Sequence, residues 1–179
     1  MKLLRTIRLD ASDTFVFEQA AEPGEWAVSG AFVFWDRDPA ALEGKARSAF
    51  RGGFLGVSSF GWSTLVQIVE ASAADRAHLL DMLAQRLIAQ FGAPSIEDAR
   101  AAAEEEVAFA ESLCSQPLDT LVAVHRSFDN GEVRETFRTL RPRAGQKPPR
   151  AFSFLEVEGE DEQPIEAVDL VGLAGRVPK

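Results

Sequence analysis

The pair Asn130-Gly131 constrains the fold of this chain more than any other short feature. Both residue types tolerate the left-handed backbone of a two-residue type I′ turn, which joins the strands of a β-hairpin. With a two-residue loop, Asp129 faces Glu132, and this pairing sets the register of a hairpin spanning residues 119–141. A three-residue loop is the alternative, and it would shift this register.

The two-residue register predicts a hairpin with two unlike faces. One face is mostly apolar, with one ion pair near the turn, and is predicted to face the core; its cross-strand pairs are Phe128–Val133, Arg126–Glu135, Val124–Phe137 and Val122–Thr139. The other face is polar except at its far end, and its pairs are Ser127–Arg134, His125–Thr136, Ala123–Arg138 and Leu121–Leu140. An antiparallel hairpin of this kind shows one side to the core and one to solvent.

A helix pair is predicted around residues 73–114, before the hairpin. Ser72 and Asp75 form a capping-box-like pair at the start of the first helix, which is predicted to end at Gly92. Ser95 and Asp98 repeat this pattern for a second helix that ends near Cys114. Its apolar stripe consists mostly of small residues, which indicates close helix packing or partial burial.

The rest of the chain predicts strands and one further helix. Strands are expected over residues 3–9, 14–18, 26–35, 62–70, 151–157 and 165–173. Asp38-Pro39 marks the start of a helix that runs to about Phe50 and ends at Arg51-Gly52-Gly53. The predicted fold is α+β: an antiparallel sheet of about six to eight strands with two or three packed helices. A single domain is expected over residues 1–173, followed by a loose tail over 174–179.

The first residues of the chain resemble a known group of proteins. The segments 1–10, Phe15-Val16-Phe17 and 26–35 are similar to those of a small family of uncharacterised proteobacterial proteins. This resemblance covers about the first fifth of the chain and assigns no functional residue. It implies a bacterial, cytoplasmic protein.

Composition and charge limit the expected partners. The 179 residues carry a formal net charge of -9, which argues against general affinity for nucleic acid or anionic membrane. A single cysteine excludes an internal disulfide, and with two histidines no metal site and no cofactor are predicted. The start is too short and too charged for a signal peptide, and no apolar run is long enough for a membrane span. A cytoplasmic location is expected.

The most inviting candidate for a binding site is Arg51-Gly52-Gly53-Phe54-Leu55-Gly56. Glycine amides can cradle a phosphate, and an arginine can add charge. The spacing matches neither a P-loop nor a dinucleotide fingerprint, and these glycines follow a helix instead of preceding one. Turning the chain is therefore the favoured interpretation, with ligand binding by Arg51, Gly52 and Gly53 as the alternative.

The polar face of the hairpin is the second candidate. His125 can act as a general base, and Arg134 and Arg138 beside it favour its neutral form. No nucleophile stands next to His125 in sequence, so no catalytic residue is assigned. His78 is expected at the surface, and Cys114 is interpreted as a small buried hydrophobe, with a reactive thiol as the alternative.

These observations support three hypotheses on function. The first is a non-catalytic cytoplasmic protein that binds a protein partner, such as an accessory or assembly factor of a bacterial enzyme system. The second is a protein or enzyme that binds an anionic metabolite through Arg51, the Gly52–Gly56 loop and the polar face of the hairpin. The third, RNA binding through residues 134–150, is opposed by the overall charge. Glu104-Glu105-Glu106 is interpreted as the exposed face of a helix, and the oligomeric state is left open.

Overall fold

The computed structural model of the chain describes residues 1–142 and 155–158. The described residues form eight strands, and the sheet order is β4-β3-β2-β1-β5-β6-β7-β8 with every neighbouring pair antiparallel. Their bounds are β1 Lys2–Ile7, β2 Trp26–Val28, β3 Phe54–Gly56, β4 Trp62–Ser63, β5 Leu65–Glu70, β6 Leu121–Asp129, β7 Glu132–Pro142 and β8 Leu155–Glu158. The predicted α+β class and antiparallel sheet are confirmed.

Four α-helices accompany the strands in the described residues. They are α1 Ser12–Val16, α2 Gly44–Gly52, α3 Ala73–Phe91 and α4 Ile96–Ser112, with short 3₁₀ helices at Ala31–Phe34, Pro39–Ala41 and Leu113–Ser115. Helices α3 and α4 pack on each other, α4 lies against β1 and β2, and α2 lies against β6. The helix pair and its caps are confirmed: Ser72 and Asp75 form a reciprocal capping box, and Gly92 has φ +66°.

The predicted register of the β6–β7 hairpin is confirmed for every pair from Leu121–Leu140 to Asp129–Glu132. Asn130 and Gly131 have φ values of +53° and +83°, the left-handed conformation of a type I′ turn. The faces differ from the prediction in one respect. Phe128 is 37% exposed, whereas Arg126 has no exposed surface, so the arginine and not the phenylalanine is buried.

Of the strands predicted near the start of the chain, the one over 14–18 is wrong and the one over 26–35 is confirmed only for residues 26–28. Residues 14–18 lie mostly in α1, which is held by the buried carboxylate of Asp13; this group accepts hydrogen bonds from the backbone and the hydroxyl of Thr64. The strand predicted over 26–35 ends at Val28, because Gly30 turns the chain with φ +79°. A Cβ at Gly30 would lie 2.6 Å from Leu55 Cβ, so close packing and the turn both require glycine there.

Two other elements are interrupted. The helix predicted over 39–50 begins as a 3₁₀ turn capped by Asp38 and restarts as α2 at Gly44, whose φ of +53° breaks the helix between them. The strand predicted over 62–70 divides at Thr64, which follows β4 and precedes β5. Asp13 binds Thr64, so β4 can pair with β3 while β5 pairs with β1 and β6.

The C-terminal predictions are only partly tested. Of the strand predicted over 151–157, residues 155–157 lie in β8, which pairs with β7. The strand predicted over 165–173 and the tail over 174–179 lie outside the described residues. Within the described part of the chain, no helix combines the length and the apolar character needed to cross a membrane.

Candidate functional site

Arg126 is the centre of a buried polar cluster on the inner face of β6. The arginine donates through Nε to Glu135 Oε1 at 2.6 Å, and through one terminal nitrogen to the carbonyls of Phe50 and Gly53 at 3.0 and 2.7 Å. Its other terminal nitrogen donates to the carbonyl and the hydroxyl of Ser29. Burial lowers the pKa of Arg126, and the charge of Glu135 opposes this shift. One side chain thereby links β6, β7, the end of α2 and the residue after β2.

Glu106 of α4 brings a second carboxylate toward this cluster. Its Oε2 atom is buried and has no hydrogen-bond partner among the described residues. Burial raises the pKa of Glu106 to about 7, with a further contribution from the nearby charge of Glu135. The prediction that Glu104-Glu105-Glu106 forms an exposed helix face is therefore wrong for Glu106, although the other two are exposed. Near neutral pH this carboxyl can accept a hydrogen bond or, when protonated, donate one.

The 3₁₀ turns after β2 form one wall of three adjoining pockets, which we call the 31–40 groove. We call them the basic pocket, next to α2, the apolar pocket, next to the helix pair α3–α4, and the central pocket between them. The basic pocket has a volume of about 380 Å³, the central pocket about 530 Å³ and the apolar pocket about 550 Å³. The central pocket shares Phe32, Trp35 and Glu106 with the apolar pocket. It shares Pro39, Phe50 and Phe128 with the basic pocket. Volumes of this size are typical of ligand sites.

The basic pocket lies between α2 and the turn of the hairpin. Arg47 and Arg51 line it from successive turns of α2, and Ser127 and Asp129 line it from β6. Within the described residues, neither Arg47 nor Arg51 has an ion-pair partner. Arg126 also lines this pocket, but its donors are already bound to Glu135, Ser29 and backbone carbonyls. The two surface arginines are therefore the groups available to an anion.

The apolar pocket lies at the opposite end of the groove, against the helix pair. Phe32 and Phe91 line it and contact each other edge to face, with ring centroids 5.6 Å apart. Asp98, Glu105 and Glu106 of α4 contribute its carboxylates, and among the described residues no lysine, arginine or histidine lines it. Trp35 stands at its junction with the central pocket and is 80% exposed. Trp35, the last residue of the strand predicted over 26–35, therefore lies outside any strand and at the surface.

Of the predicted binding residues, Arg51 lies in the groove and the neighbouring glycines support the fold. The Gly53 carbonyl accepts from Arg126, and the Gly53 amide donates to the Ala49 carbonyl at 3.0 Å. The Gly56 amide donates to the Gly61 carbonyl at 2.8 Å. A Cβ at Gly52 would meet only the Val124 carbonyl, at 3.8 Å. With the amides of Gly53 and Gly56 already bonded, turning the chain remains the favoured interpretation of these glycines.

The predicted residues of the hairpin lie on the opposite face of the sheet from Arg126. His125, Arg134 and Arg138 are all exposed, and their registers place them side by side on β6 and β7. Arg51 lines the basic pocket together with Arg126. His125, Arg134 and Arg138 do not line that pocket, so it does not bring Arg51 together with them. His78 is exposed, as predicted. No group of three or more potential metal-binding side chains occurs among the described residues.

Cys114 behaves as the small buried hydrophobe predicted for it. It is 6% exposed, and its thiol donates to the Ala110 carbonyl at 3.3 Å. Burial raises its pKa to about 11, which leaves little thiolate near neutral pH.

The sequence predicts no role for Ser29, Trp35, Arg47 or Glu106, and it predicts Arg126 only as half of an ion pair near the turn, on the core-facing side of the hairpin. For Arg126 a signal was present, because the predicted register placed it on the core face between Val124 and Phe128. For Glu106 the helical spacing was also a signal. It follows Ala103 by three residues and precedes Ala110 by four, and both alanines are buried, so Glu106 lies on the same side of α4. Ser29, Trp35 and Arg47 had no comparable signal, since their positions depend on the turn at Gly30 and on how α2 packs.

Comparisons with known proteins identify the family of this chain. A family model described as a family of unknown function (DUF6505) matches residues 1–150, so the chain belongs to that family. The match extends well beyond the residues on which the resemblance rests, and it includes every residue of the 31–40 groove. No curated protein and no solved structure matches the chain. The expectation of an uncharacterised family is confirmed, and the proteobacterial origin stays an expectation.

Proposed function

We propose that this protein is a non-catalytic accessory protein that binds a segment of a partner protein in the 31–40 groove. The observation that carries the proposal is Trp35, a large apolar side chain that is 80% exposed at the junction of two pockets. Phe128 and Val133, which are 37% and 45% exposed, lie at the same central pocket. Exposed aromatic residues around a groove are typical of surfaces that bind other proteins.

The form of the groove supports an elongated occupant. The three pockets follow one another along residues 31–40, from the helix pair to the end of α2. A peptide in extended conformation spans about 3.3 Å per residue and can place successive side chains in successive pockets. The expected cytoplasmic location belongs to this proposal, and the net charge of -9 is the reason that we do not propose nucleic acid as the partner.

The experiment is a selection of randomised peptides of about 12 residues, an extended length of roughly 40 Å, on the immobilised full-length protein. We expect a family of related peptides to be enriched, and their binding to be roughly thirtyfold weaker in Trp35→Ala. Phe15→Ala is the matched control, because Phe15 is 75% exposed and does not line the groove. If no sequence is enriched, or if the enriched peptides bind equally to Trp35→Ala, the proposal is wrong.

A second candidate is binding of an anionic metabolite in the basic pocket. It is favoured by Arg47 and Arg51, which lack ion-pair partners within the described residues and line a pocket of about 380 Å³. Its test is the melting temperature in the presence of inorganic phosphate and of small dicarboxylates. A rise that disappears in Arg47→Ala supports this candidate, and the absence of any rise counts against it.

A further inference from the structure

The charges along the 31–40 groove are separated by sign. In the part of the chain that the structure describes, Arg47 and Arg51 line its basic pocket, where Asp129 is the one carboxylate, whereas Asp98, Glu105 and Glu106 line its apolar pocket without any basic residue. Between them, the central pocket has one exposed charge of each sign besides Glu106, from Arg37 and Asp38. We infer that the groove binds its peptide in one orientation, with acidic residues on Arg47 and Arg51, apolar residues at Trp35 and basic residues at Asp98 and Glu105. This inference rests on the proposed function.

The basic end is available to acidic side chains of a partner. Arg47 and Arg51 are four residues apart in α2, so their side chains project from the same side of that helix. Asp129 offsets part of their charge but already accepts a hydrogen bond from the Ser127 hydroxyl at 3.1 Å. Arg126, the third arginine of this pocket, is neutralised by Glu135. A positive charge therefore remains for a carboxylate, which arginine binds through two parallel hydrogen bonds.

The acidic end has the opposite preference. Asp98 and Glu105 are seven residues apart in α4, about two helical turns, so both lie at the same side of the apolar pocket. Two arginines of the helix pair are committed elsewhere, since Arg100 pairs with Asp81 and Arg76 pairs with Glu104 and Glu111. Asp98 accepts from the Ser95 hydroxyl at 2.7 Å, and neither Asp98 nor Glu105 has an ion-pair partner among the described residues. A lysine or arginine of the partner supplies the missing cation.

The middle of the groove suits the apolar part of an extended peptide. Trp35 offers a broad exposed surface there, and Phe32 lines both adjoining pockets. Glu106 is shared by the same two pockets, and its buried Oε2 lacks a partner among the described residues. Opposite charges at the two ends then fix the orientation, because reversing the peptide brings like charges together.

The test compares peptide selections on three full-length proteins. On the wild type, we expect enriched peptides to carry Asp or Glu at one end, apolar or aromatic residues in the middle and Lys or Arg at the other end, always in the same order. Arg47→Glu/Arg51→Glu should bind these peptides at least tenfold more weakly. Arg134→Glu/Arg138→Glu makes the same change in net charge on the opposite face of the hairpin, and its affinity should equal that of the wild type.

Failure of the proposed function and failure of this inference give different results. If the wild type enriches no peptide, the proposed function and this inference both fall. If enriched peptides need Trp35 but show no order of charges, or bind Arg47→Glu/Arg51→Glu as well as the wild type, only the inference falls. Glu105→Lys tests the acidic end of the groove in the same way. Its control is Glu97→Lys, at an exposed position of α4 outside the groove. We expect only Glu105→Lys to change the enrichment of Lys and Arg at one end of the selected peptides.

Discussion

Arg126 and Glu135 face each other across the β6–β7 hairpin, and their side chains form an ion pair with a separation of 2.6 Å between Nε and Oε1. The arginine side chain has no exposed surface, and the glutamate is 19% exposed. Ser29 donates its hydroxyl to the same carboxylate oxygen at 2.6 Å. The pair therefore connects the hairpin with the turn that begins the 31–40 groove and with the end of α2.

Removing the arginine should destabilise the fold strongly. Arg126→Met removes the cation that pairs with Glu135 and the donor that binds the carbonyls of Phe50 and Gly53. Breaking a buried ion pair costs about 3–5 kcal/mol, and we expect a loss of this size in the free energy of unfolding. Urea denaturation monitored by circular dichroism measures it. Arg134→Met, on the exposed face, should change stability by less than about 0.5 kcal/mol. Equal effects of the two substitutions would contradict the role of Arg126.

Glu106 should make stability depend on pH. Its pKa is about 7 in the folded protein, above the ordinary value of 4.5, so the folded state holds this proton more tightly than the unfolded chain. The stabilisation from the bound proton is complete below about pH 4.5 and is lost as the pH rises through about 7. Glu106→Gln stays neutral at every pH, and its advantage over the wild type should grow across this range to at most about 3 kcal/mol.

The measurement is the difference in unfolding free energy between Glu106→Gln and the wild type at pH 4.5, 6 and 8. The difference cancels the titration of groups that both proteins share. Glu105→Gln is the control, since Glu105 is exposed and adjacent. A constant difference over this pH range would mean that Glu106 does not titrate as described.

Two neighbouring glycines should respond differently to an added methyl group. A Cβ at Gly53 would lie 2.7 Å from Trp62 Cε3 and 2.9 Å from the Ala49 carbonyl, whereas at Gly52 its nearest contact is 3.8 Å away. Gly53→Ala should cost about 1–3 kcal/mol through overpacking. Gly52→Ala, at the end of α2, should be neutral or stabilise slightly, because it lowers the entropy of the unfolded chain. Thermal unfolding of both variants measures the difference, and a tolerated Gly53→Ala would mean that the packing around Trp62 is looser than described.

Substitution of Trp35 should affect mainly peptide binding, whereas substitution of Trp62 should affect mainly stability. Trp35 is 80% exposed and Trp62 is 9% exposed. Trp35→Ala should change the unfolding free energy by less than about 0.5 kcal/mol and weaken peptide binding by about 2 kcal/mol, or roughly thirtyfold. Trp62→Ala should lower stability by about 3–5 kcal/mol, because it opens a large cavity in the core. Denaturation curves and titration calorimetry give the two quantities, and a large loss of stability in Trp35→Ala would show that this residue serves the fold.

The family match and the fold bear differently on function. The match places the groove inside the region that the family shares, and it assigns no activity. The separation of charge along the groove is a property of this chain. It indicates the order of acidic, apolar and basic residues by which a partner can be sought.

The amino-acid sequence alone determined the features that depend on nearby residues. The hairpin register follows from Asn130-Gly131, and the limits of α3 follow from its capping box and from Gly92. These features are local, because a turn type or a helix cap requires particular residues within a few positions of one another.

The tertiary structure decided what depends on distant contacts. Leu55 and Trp62 leave no room for a Cβ at Gly30, and the burial of Arg126 requires carbonyls from α2 and from the residue after β2. The groove itself brings together Trp35, Glu106 and Arg51, which come from three separate elements of the chain. Sequence patterns describe which face of an element is apolar. Only packing decides which buried polar group finds its partners and which apolar side chain remains exposed.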